Sequence, residues 1–474
     1  MKLFNTETRI KEEIVPAEGQ KIGLYTCGPT VYNFAHIGNF RTYVFEDLLR
    51  RSLKFFGFKV TQVMNITDID DKTIKGAIQK GISLKAFTDR YTEAFFEDLK
   101  SLNIEKVEFY PCATDYIPQM VEMIQGLLDK GIAYRGADGS IYFAITKFPS
   151  YGRLSHLHLD ELEAGASKRV AADEYDKDHV ADFVLWKAYD PSRDGTIFWE
   201  SPFGKGRPGW HIECSAMAMN LLGTTIDIHV GGVDNMFPHH ENEMAQSEAF
   251  SDHRFVRYWL HAEHLLVDHK KMSKSLGNFF TLRDLLHQGY TGPQVRYMLL
   301  QTHYRTQLNF TLAGLDAVGK SLERLSDFIL RLRQIEVMQS FGEIDGLIKK
   351  TKTLFSDALA DDLNISSALA ALFDFVREVN TLCDAGKVGK EEVQKVLYFL
   401  EQLDQVVGVL PLQTVQEEIP QDLQQLLAAR EQARQKKDWK AADESRDVIL
   451  ARGYLIEDTP HGARLKKVVD TLSS

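Results

Sequence analysis

His239 and Glu243 stand four residues apart in the run His239-His-Glu-Asn-Glu243, which the preceding Pro238 marks as the opening of a helix. Positions i and i+4 of a helix share a face, so one imidazole and one carboxylate can aim at a common point. A nearby thiolate would complete much of a zinc site, because zinc takes cysteine, histidine and carboxylate donors in small tetrahedral sets. The chain has four cysteines, Cys27, Cys112, Cys214 and Cys383. Cys214 stands ahead of a strand-like run, Ile226-Asp-Ile-His-Val230. Cys27 is the best further donor: it ends a second strand-like run, 21–26, which a parallel sheet would deliver to the same edge. His240 or Glu241 could replace their neighbours as ligands.

Two further stretches carry chemistry. His36-Ile-Gly-Asn39 follows a strand and a turn and opens a helical pattern. A helix N-terminus presents unpaired N–H groups and the positive end of the dipole to phosphate. Gly38 would let an adenine or ribose approach the backbone, and His36 would hydrogen-bond phosphate oxygens. The second stretch is Lys271-Met-Ser-Lys274-Ser275 with Gly277 beyond. Two lysines around a serine in a loop can close over a polyphosphate and neutralise charge developing on it.

These groups need elements to position them. A strand at 21–27, a helix from about 37 to 56, a strand at 58–64 and a helix at about 83–102 give the alternation of an open parallel sheet. Ligands of such sheets bind beyond the carboxyl ends of the strands, where Cys27 and the polar run 65–71 would sit. Residues 111–205 break the alternation: a helix at 117–130 leads into a hairpin signature with Asp138-Gly139 at its turn. The polar stretch 165–178 reads as a loop. The sheet resumes with Trp210–Glu213 and then 226–230, and 262–267 reads as its last strand, running into the lysine loop. From 312 to 410 the pattern is helical, with one apolar stripe through Leu312, Leu315, Val318, Leu322, Leu325, Ile329 and Leu332. Pro411 to Pro420 is a polar linker. Beyond it, Arg430, Arg434, Lys436, Lys437 and Lys440 surround Trp439, a composition that can stack and steer single-stranded RNA.

With 474 residues, 44% of them hydrophobic, the chain can bury a large core in two to four domains. No apolar run is long enough to span a bilayer, and the charged N-terminus lacks the apolar core of a signal peptide. Few, unpatterned cysteines point to a reducing compartment, so the cytoplasm is expected. A net charge of −11 argues against non-specific coating of nucleic acid. It leaves room for a local basic surface, since salt confines electrostatics to about 8 Å.

The HIGN and KMSKS runs resemble the signatures of class I aminoacyl-tRNA synthetases. Within that class TCGPTVYNFAHIGN, NITDIDDKTI, GRPGWHIECSAM, HVGGVDNMFPHHENE and KMSKSLGNFF together resemble the cysteinyl-tRNA synthetases, over essentially the whole chain. The resemblance implies an α/β fold: a Rossmann-like nucleotide-binding parallel sheet with an inserted connective domain, then an all-α helical bundle and a small C-terminal domain. The expected boundaries are 1–110 and 206–260 for the two halves of the catalytic domain, 111–205 for the insertion and 261–311 for the KMSKS region. The tRNA-binding bundle is expected at 312–410 and an anticodon-binding domain at 421–474. It implies zinc, one per chain, on Cys27, Cys214, His239 and Glu243. It also implies ATP with Mg2+, cysteine and tRNA(Cys) as partners, with no membrane and a monomeric chain. Zinc prefers a thiolate to a hydroxyl, so cysteine is told from serine without an editing site. Thr67, Trp210 and His229 match positions lining the amino-acid pocket, and Asp234 matches a ribose contact. His36 and Asn39 are assigned to the phosphates and the transition-state charge, and Lys271 and Lys274 to the departing pyrophosphate. Some positions depart from the family. His269-Lys270 stand where a glycine is commoner, and Tyr116 stands where a histidine is expected. The nearest rival is a ligase joining activated cysteine to an amino sugar, as in mycothiol synthesis, which lacks a full tRNA-reading extension. A rival of another class is an inactive RNA-binding paralogue.

Overall fold

The computed structural model describes residues 1–157, 182–273, 276–412, 420–459 and 462–467. The chain forms two compact units, 1–283 with 292–410, and 284–291 with 411–474. The larger begins with a hairpin, β1 (Lys2–Asn5) and β2 (Ile10–Glu13). Then come β3 (Lys21–Thr26), α1 (Ile37–Phe55), β4 (Lys59–Met64), α2 (Asp71–Lys80) and α3 (Leu84–Ser101). An inserted segment supplies α4 (Ile117–Asp129), β5 (Ala133–Arg135), β6 (Ile141–Phe143), β7 (Phe183–Ala188) and β8 (Gly206–Pro208). The alternation resumes with α5 (Trp210–Leu222), β9 (Ile226–Gly232), α6 (Glu241–Ser251) and β10 (Val256–Ala262).

Strands β10, β9, β3 and β4 lie side by side in that order, every pair parallel. The chain moves outward from β3 to β4 on one side and from β9 to β10 on the other. The direction of winding therefore switches between β3 and β9, and a crevice opens beyond their carboxyl ends. Ile22, Leu24 and Tyr25 of β3 and Ile228 and Val230 of β9 are buried, the near-continuous apolar content of a sheet covered on both faces. Strands β5 to β8 form a separate antiparallel sheet, with Asp138-Gly139 in the β5–β6 turn as expected.

Two expectations need correction. Trp210–Glu213 is not a strand: it is the first turn of α5, which starts after Gly209 and ends at Gly223. His211 to Ala218 are all buried, so this helix has no polar face and no amphipathic period to betray it. Nor is 262–267 the last strand of the sheet. That strand is β10, and the chain then breaks before β11 (Leu265–Val267), which pairs with β12 (Lys270–Lys271) in a different sheet. The turn between them, Asp268-His269, has φ of 48° and 61°, the left-handed pair that a two-residue hairpin demands. Asn309 Oδ1 accepts from the His269 amide at 2.7 Å, holding a conformation where glycine would be easier.

Helices α7 (Gly292–Leu300), α8 (Leu312–Arg333), α9 (Glu343–Ala360), α10 (Ile365–Asp384) and α11 (Lys390–Val407) complete this unit, with β13 (Leu308–Phe310) beside β11. They grip α1 from behind. Asp47 is buried between Arg51 (2.7 Å) and Arg296 (2.6 Å). Burial pushes its carboxyl up, but the two guanidinium groups prevail and hold it below the ordinary range. Arg296 and Arg51 also donate to the Val407 and Gln405 carbonyls of α11, so the C-terminal half of α1 is tied to α7 and α11. The smaller unit pairs α12 (Gln421–Gln435) with α13 (Trp439–Ala451) and adds the hairpin β14 (Tyr454–Thr459) and β15 (Gly462–Lys467). Trp439 is exposed, whereas Arg430 is buried and paired with Glu431 at 2.7 Å, so Arg430 leaves the set of surface cations that composition suggested. The stretch 165–178 lies outside the described residues.

Candidate active site

Cys27 follows β3 directly, its amide donating to Val230 of β9 at 3.2 Å, so it stands at the switch point. Gly28 must come next: a Cβ there would lie 1.7 Å from the Asn65 carbonyl. Cys214 comes from the middle of α5. His239 and Glu243 straddle the junction of a wide turn, Met236–His240, with α6. Their four donor atoms lie within 4.8 Å of one another, and none of the four residues is more than 8% exposed.

The surroundings orient these donors. His239 Nδ1 is 2.9 Å from His211 Nδ1, which turns His239 Nε2 toward Glu243 Oε1 at 3.0 Å. Trp210 stacks on the His239 ring with centroids 4.1 Å apart. The other Glu243 oxygen accepts from His229 Nε2 at 2.9 Å. Among the described residues no well-directed hydrogen bond reaches Glu243 Oε1, a buried acceptor beside the His239 imidazole, in a residue grouped with two sulfurs. Burial pushes the His239 imidazolium down, yet Glu243 and Cys214 hold its pKa up at about 10. Burial pushes Glu243 up, and His229 and His239 pull it down to about 2. The two thiols act on each other: Cys214 first, and burial after it, push Cys27 well up, while Cys27 brings Cys214 down to about 6. A pocket this dry that gathers anionic donors suits a divalent cation, which would release both thiol protons. The set of two sulfurs, one imidazole and one carboxylate fits zinc.

The neighbouring candidates separate cleanly. Glu241 turns away: its carboxylate accepts from the Gly152 and Ser155 amides at 2.8 and 2.7 Å and ties the insertion to α6. His240 remains a donor, since Cys27, His229, His240 and Glu243 form a second buried group of the same compactness. His240 Nε2 lies 3.2 Å from Cys27 Sγ, and its Nδ1 lies 2.8 Å from His261 Nε2. Gly231 leaves room for this ring, because a Cβ there would come within 2.7 Å of it. Sequence reasoning missed His211 and His261, whose only signal was an unusual density of histidine between 211 and 261.

A cavity of about 660 Å³ adjoins the metal pocket, with Cys27 and Trp210 on its wall. His36, Gly38, Asn39, Asp234 and Lys271 line it as well. His36 caps α1: its Nδ1 accepts from the Asn39 amide at 3.2 Å, and Asn39 Oδ1 accepts from the His36 amide at 3.1 Å. A ring that accepts at Nδ1 carries its proton at Nε2 when neutral. Burial lowers the His36 pKa and favours that neutral form. Asp234 pairs with His264 at 3.3 Å. Lys271 is exposed, with its carbonyl held by Asn278, whose Oδ1 also accepts from the Ser273 amide. Lys274 lies outside the described residues. Thr67 and His229 are not on the cavity wall. Thr67 is buried beneath the 28–30 turn, and His229 stands behind Glu243. Tyr116 is farther off, on a separate open cleft.

Three family profiles match in order: "tRNA synthetases class I (C) catalytic domain" over residues 13–320, "DALR domain" over 354–412 and "Cysteinyl-tRNA ligase anticodon binding domain" over 416–464. A protein named cysteine--tRNA ligase from Protochlamydia amoebophila is 66% identical over 98% of both chains. One of the same name from Chlamydia muridarum is 58% identical over 98% of this chain and 99% of its own. Among solved structures, Mycobacterium tuberculosis methionyl-tRNA synthetase with methionyl-adenylate covers 82% of this chain and 90% of its own at TM-score 0.59 and 14% identity. The Agrobacterium radiobacter LeuRS-tRNA-LeuAMS complex reaches TM-score 0.59 at 12% identity, over 86% of this chain and 88% of that one. These two show likeness of fold alone.

Proposed function

The chain belongs to the cysteinyl-tRNA synthetase family, and from that premise we propose a division of labour among its residues as it activates cysteine with ATP and transfers it to tRNA(Cys). One observation carries the reading: a dry cluster of sulfur, nitrogen and oxygen donors opens onto a cavity that also holds a helix N-terminus and a lysine. Cys27, Cys214, His239 and Glu243 would hold a zinc ion, which would supply a soft acceptor favouring the substrate thiolate over the hydroxyl of serine. Size alone could not separate the two, since they differ by one atom. Trp210 covers the His239 side of the pocket and excludes water. His229 fixes Glu243, and Thr67 supports the turn carrying Cys27, so both shape the amino-acid pocket from behind its wall.

The cysteine carboxylate attacks the α-phosphate of ATP in line and pyrophosphate leaves, a step that asks for positioning and charge stabilisation. His36 donates from Nε2 to phosphate oxygen, and Asn39 and the α1 amides add to the same field. Gly38 lets the nucleotide lie against the backbone, and Asp234 accepts from a ribose hydroxyl. Lys271 and Lys274, with the Mg2+ carried by ATP, neutralise the pyrophosphate. The adenylate then gives its cysteinyl group to the terminal ribose of tRNA. We assign residues 312–410 and 421–474 to holding the tRNA, the latter at its anticodon, with Lys436, Lys437, Lys440 and Trp439 on its surface. No helix among the described residues is long and apolar enough to cross a membrane. We place a monomeric chain in the cytoplasm, in keeping with four free cysteines.

The test is ATP–pyrophosphate exchange with cysteine and with serine, followed by charging of tRNA(Cys). Exchange with cysteine and little with serine, then charging, is expected. Equal exchange with serine would overturn the metal-selection reading. Exchange without charging, but with transfer to an amino sugar, would move the chain to the rival ligases. No exchange by zinc-loaded protein would leave only the RNA-binding paralogue.

A further inference from the structure

The segment between β3 and α1 carries two aromatic side chains that neither the metal nor the phosphate chemistry uses. Tyr32 lines the cavity and is 40% exposed, which puts it at the rim. Lys72, in the first turn of α2, holds Nζ 5.0 Å from the centre of the Tyr32 ring. Phe34 is on the wall beside it, with the guanidinium groups of Arg283 and Arg90 at 5.1 and 6.0 Å from its centre. Arg283 is already committed to Glu97 and Asp98. Lys72 and Arg90 differ: both are exposed, and neither makes an ion pair among the described residues. Two exposed cations beside aromatic faces thus stand together next to one cavity.

An exposed ammonium gains only about 0.5–1 kcal/mol from an aromatic face, too little to explain holding it from its own stability. Cations that follow a backbone while rings stack bases form the usual track for single-stranded nucleic acid. We propose that Tyr32 stacks a nucleobase of the unpaired 3′ end of tRNA, while Lys72 and Arg90 hold its phosphates, guiding the terminal ribose into the cavity. This rests on the aminoacylation reading above, because that reaction requires the 3′ end to enter here. The ATP groups assigned above come from α1, Asp234 and the lysine loop. Lys72 and Arg90 come instead from α2 and α3, so the two halves of the reaction use separable residues.

The experiment uses the zinc-loaded full chain, a tRNA(Cys) transcript, and a second transcript with 2-aminopurine in place of the terminal adenine. Tyr32→Ala should lower kcat/KM for charging by roughly 5- to 100-fold while pyrophosphate exchange stays within about twofold. Tyr32→Trp, which keeps a stacking face, should restore charging. Quenching of the 2-aminopurine on binding should be lost in the alanine variant and retained in the tryptophan one. Lys72→Gln should reduce the slope of log kcat/KM against log salt by about 0.7, one phosphate contact on a single strand. A parallel fall of exchange and charging, or quenching indifferent to residue 32, would overturn this proposal alone. Failure of the unaltered chain to charge tRNA(Cys) would instead sink the aminoacylation reading and this one with it.

Discussion

The metal pocket and the nucleotide cavity meet at Cys27 and Trp210, and they are built in opposite ways. In the pocket every donor is buried, and the imidazole and carboxylate donors are each held by a histidine that is itself buried, His211 for His239 and His229 for Glu243. In the cavity, Lys271 is exposed and the Asp234 side chain is 77% exposed. The contrast follows from what each must do. Telling sulfur from oxygen relies on ligand softness expressed at fixed geometry, which calls for a dry, preassembled site. Neutralising pyrophosphate needs charges that bind and then let go, and water-screened lysines do so. On the proposed assignment, selectivity would belong to the buried side of the shared wall and turnover to the exposed side.

The comparison breaks most sharply at Cys214. Cys214→Ser should cost the protein its stoichiometric zinc and lower cysteine-dependent exchange by at least about 10³-fold, since metal sites need their full ligand count. Metal content and exchange, measured on one sample, check it; retained zinc with full activity would dissolve the distinction. Next in size is Lys271→Ala, on the other side of the wall. It should lower exchange by roughly 10²-fold, as removal of a charge-stabilising group commonly does, with zinc content unchanged. A smaller change sharpens the boundary. His229→Gln removes the imidazole that orients Glu243 and should weaken zinc binding about 10- to 100-fold in a competition titration with a chelator. An unchanged zinc affinity with a raised KM for cysteine would move His229 back to the cavity wall.

The smallest effect lies far from both sites and serves as their control. Glu392 of α11 accepts from the Ser340 hydroxyl and the Phe341, Gly342 and Gly389 amides. Burial would raise its pKa, but these donors prevail and hold it at about 2. An unfolded glutamate titrates near 4.3, so the stabilisation is complete above about pH 4.3 and is lost as pH falls toward 2. Glu392→Gln should lower Tm at neutral pH, and the gap to the parent protein should close on acidification through that window. Exchange should be unaffected.

Where sequence and structure agree, the signal was local. The i, i+4 pairing of His239 with Glu243 survives although a wide turn precedes the helix, because both residues still project from one face. The Asp138-Gly139 hairpin and the β3–α1–β4 alternation follow from turn chemistry and period. The failures lie where burial erases period. The first turn of α5, part of a run buried on every side from His211 to Ala218, reads as a strand, and the last strand of the sheet reads as 262–267 where β10 is Val256–Ala262. The choice between Glu241 and Glu243 was open for the same reason. Residues two apart lie on opposite sides of a helix, so Glu241 could serve only in a differently oriented set, and the insertion's amides show that it is occupied elsewhere.

By itself, then, the sequence determined the donor types, the spacing that puts an imidazole and a carboxylate on one helical face, and the alternation that makes a parallel sheet. Tertiary structure alone decided that β3 and β9 become neighbours, so that a cysteine at position 27 meets one at 214. It also decided which histidines point a bare nitrogen inward. The reason is physical. Local periodicity is written into backbone geometry over a few residues, whereas desolvation and the approach of distant donors exist only once the core has closed around them.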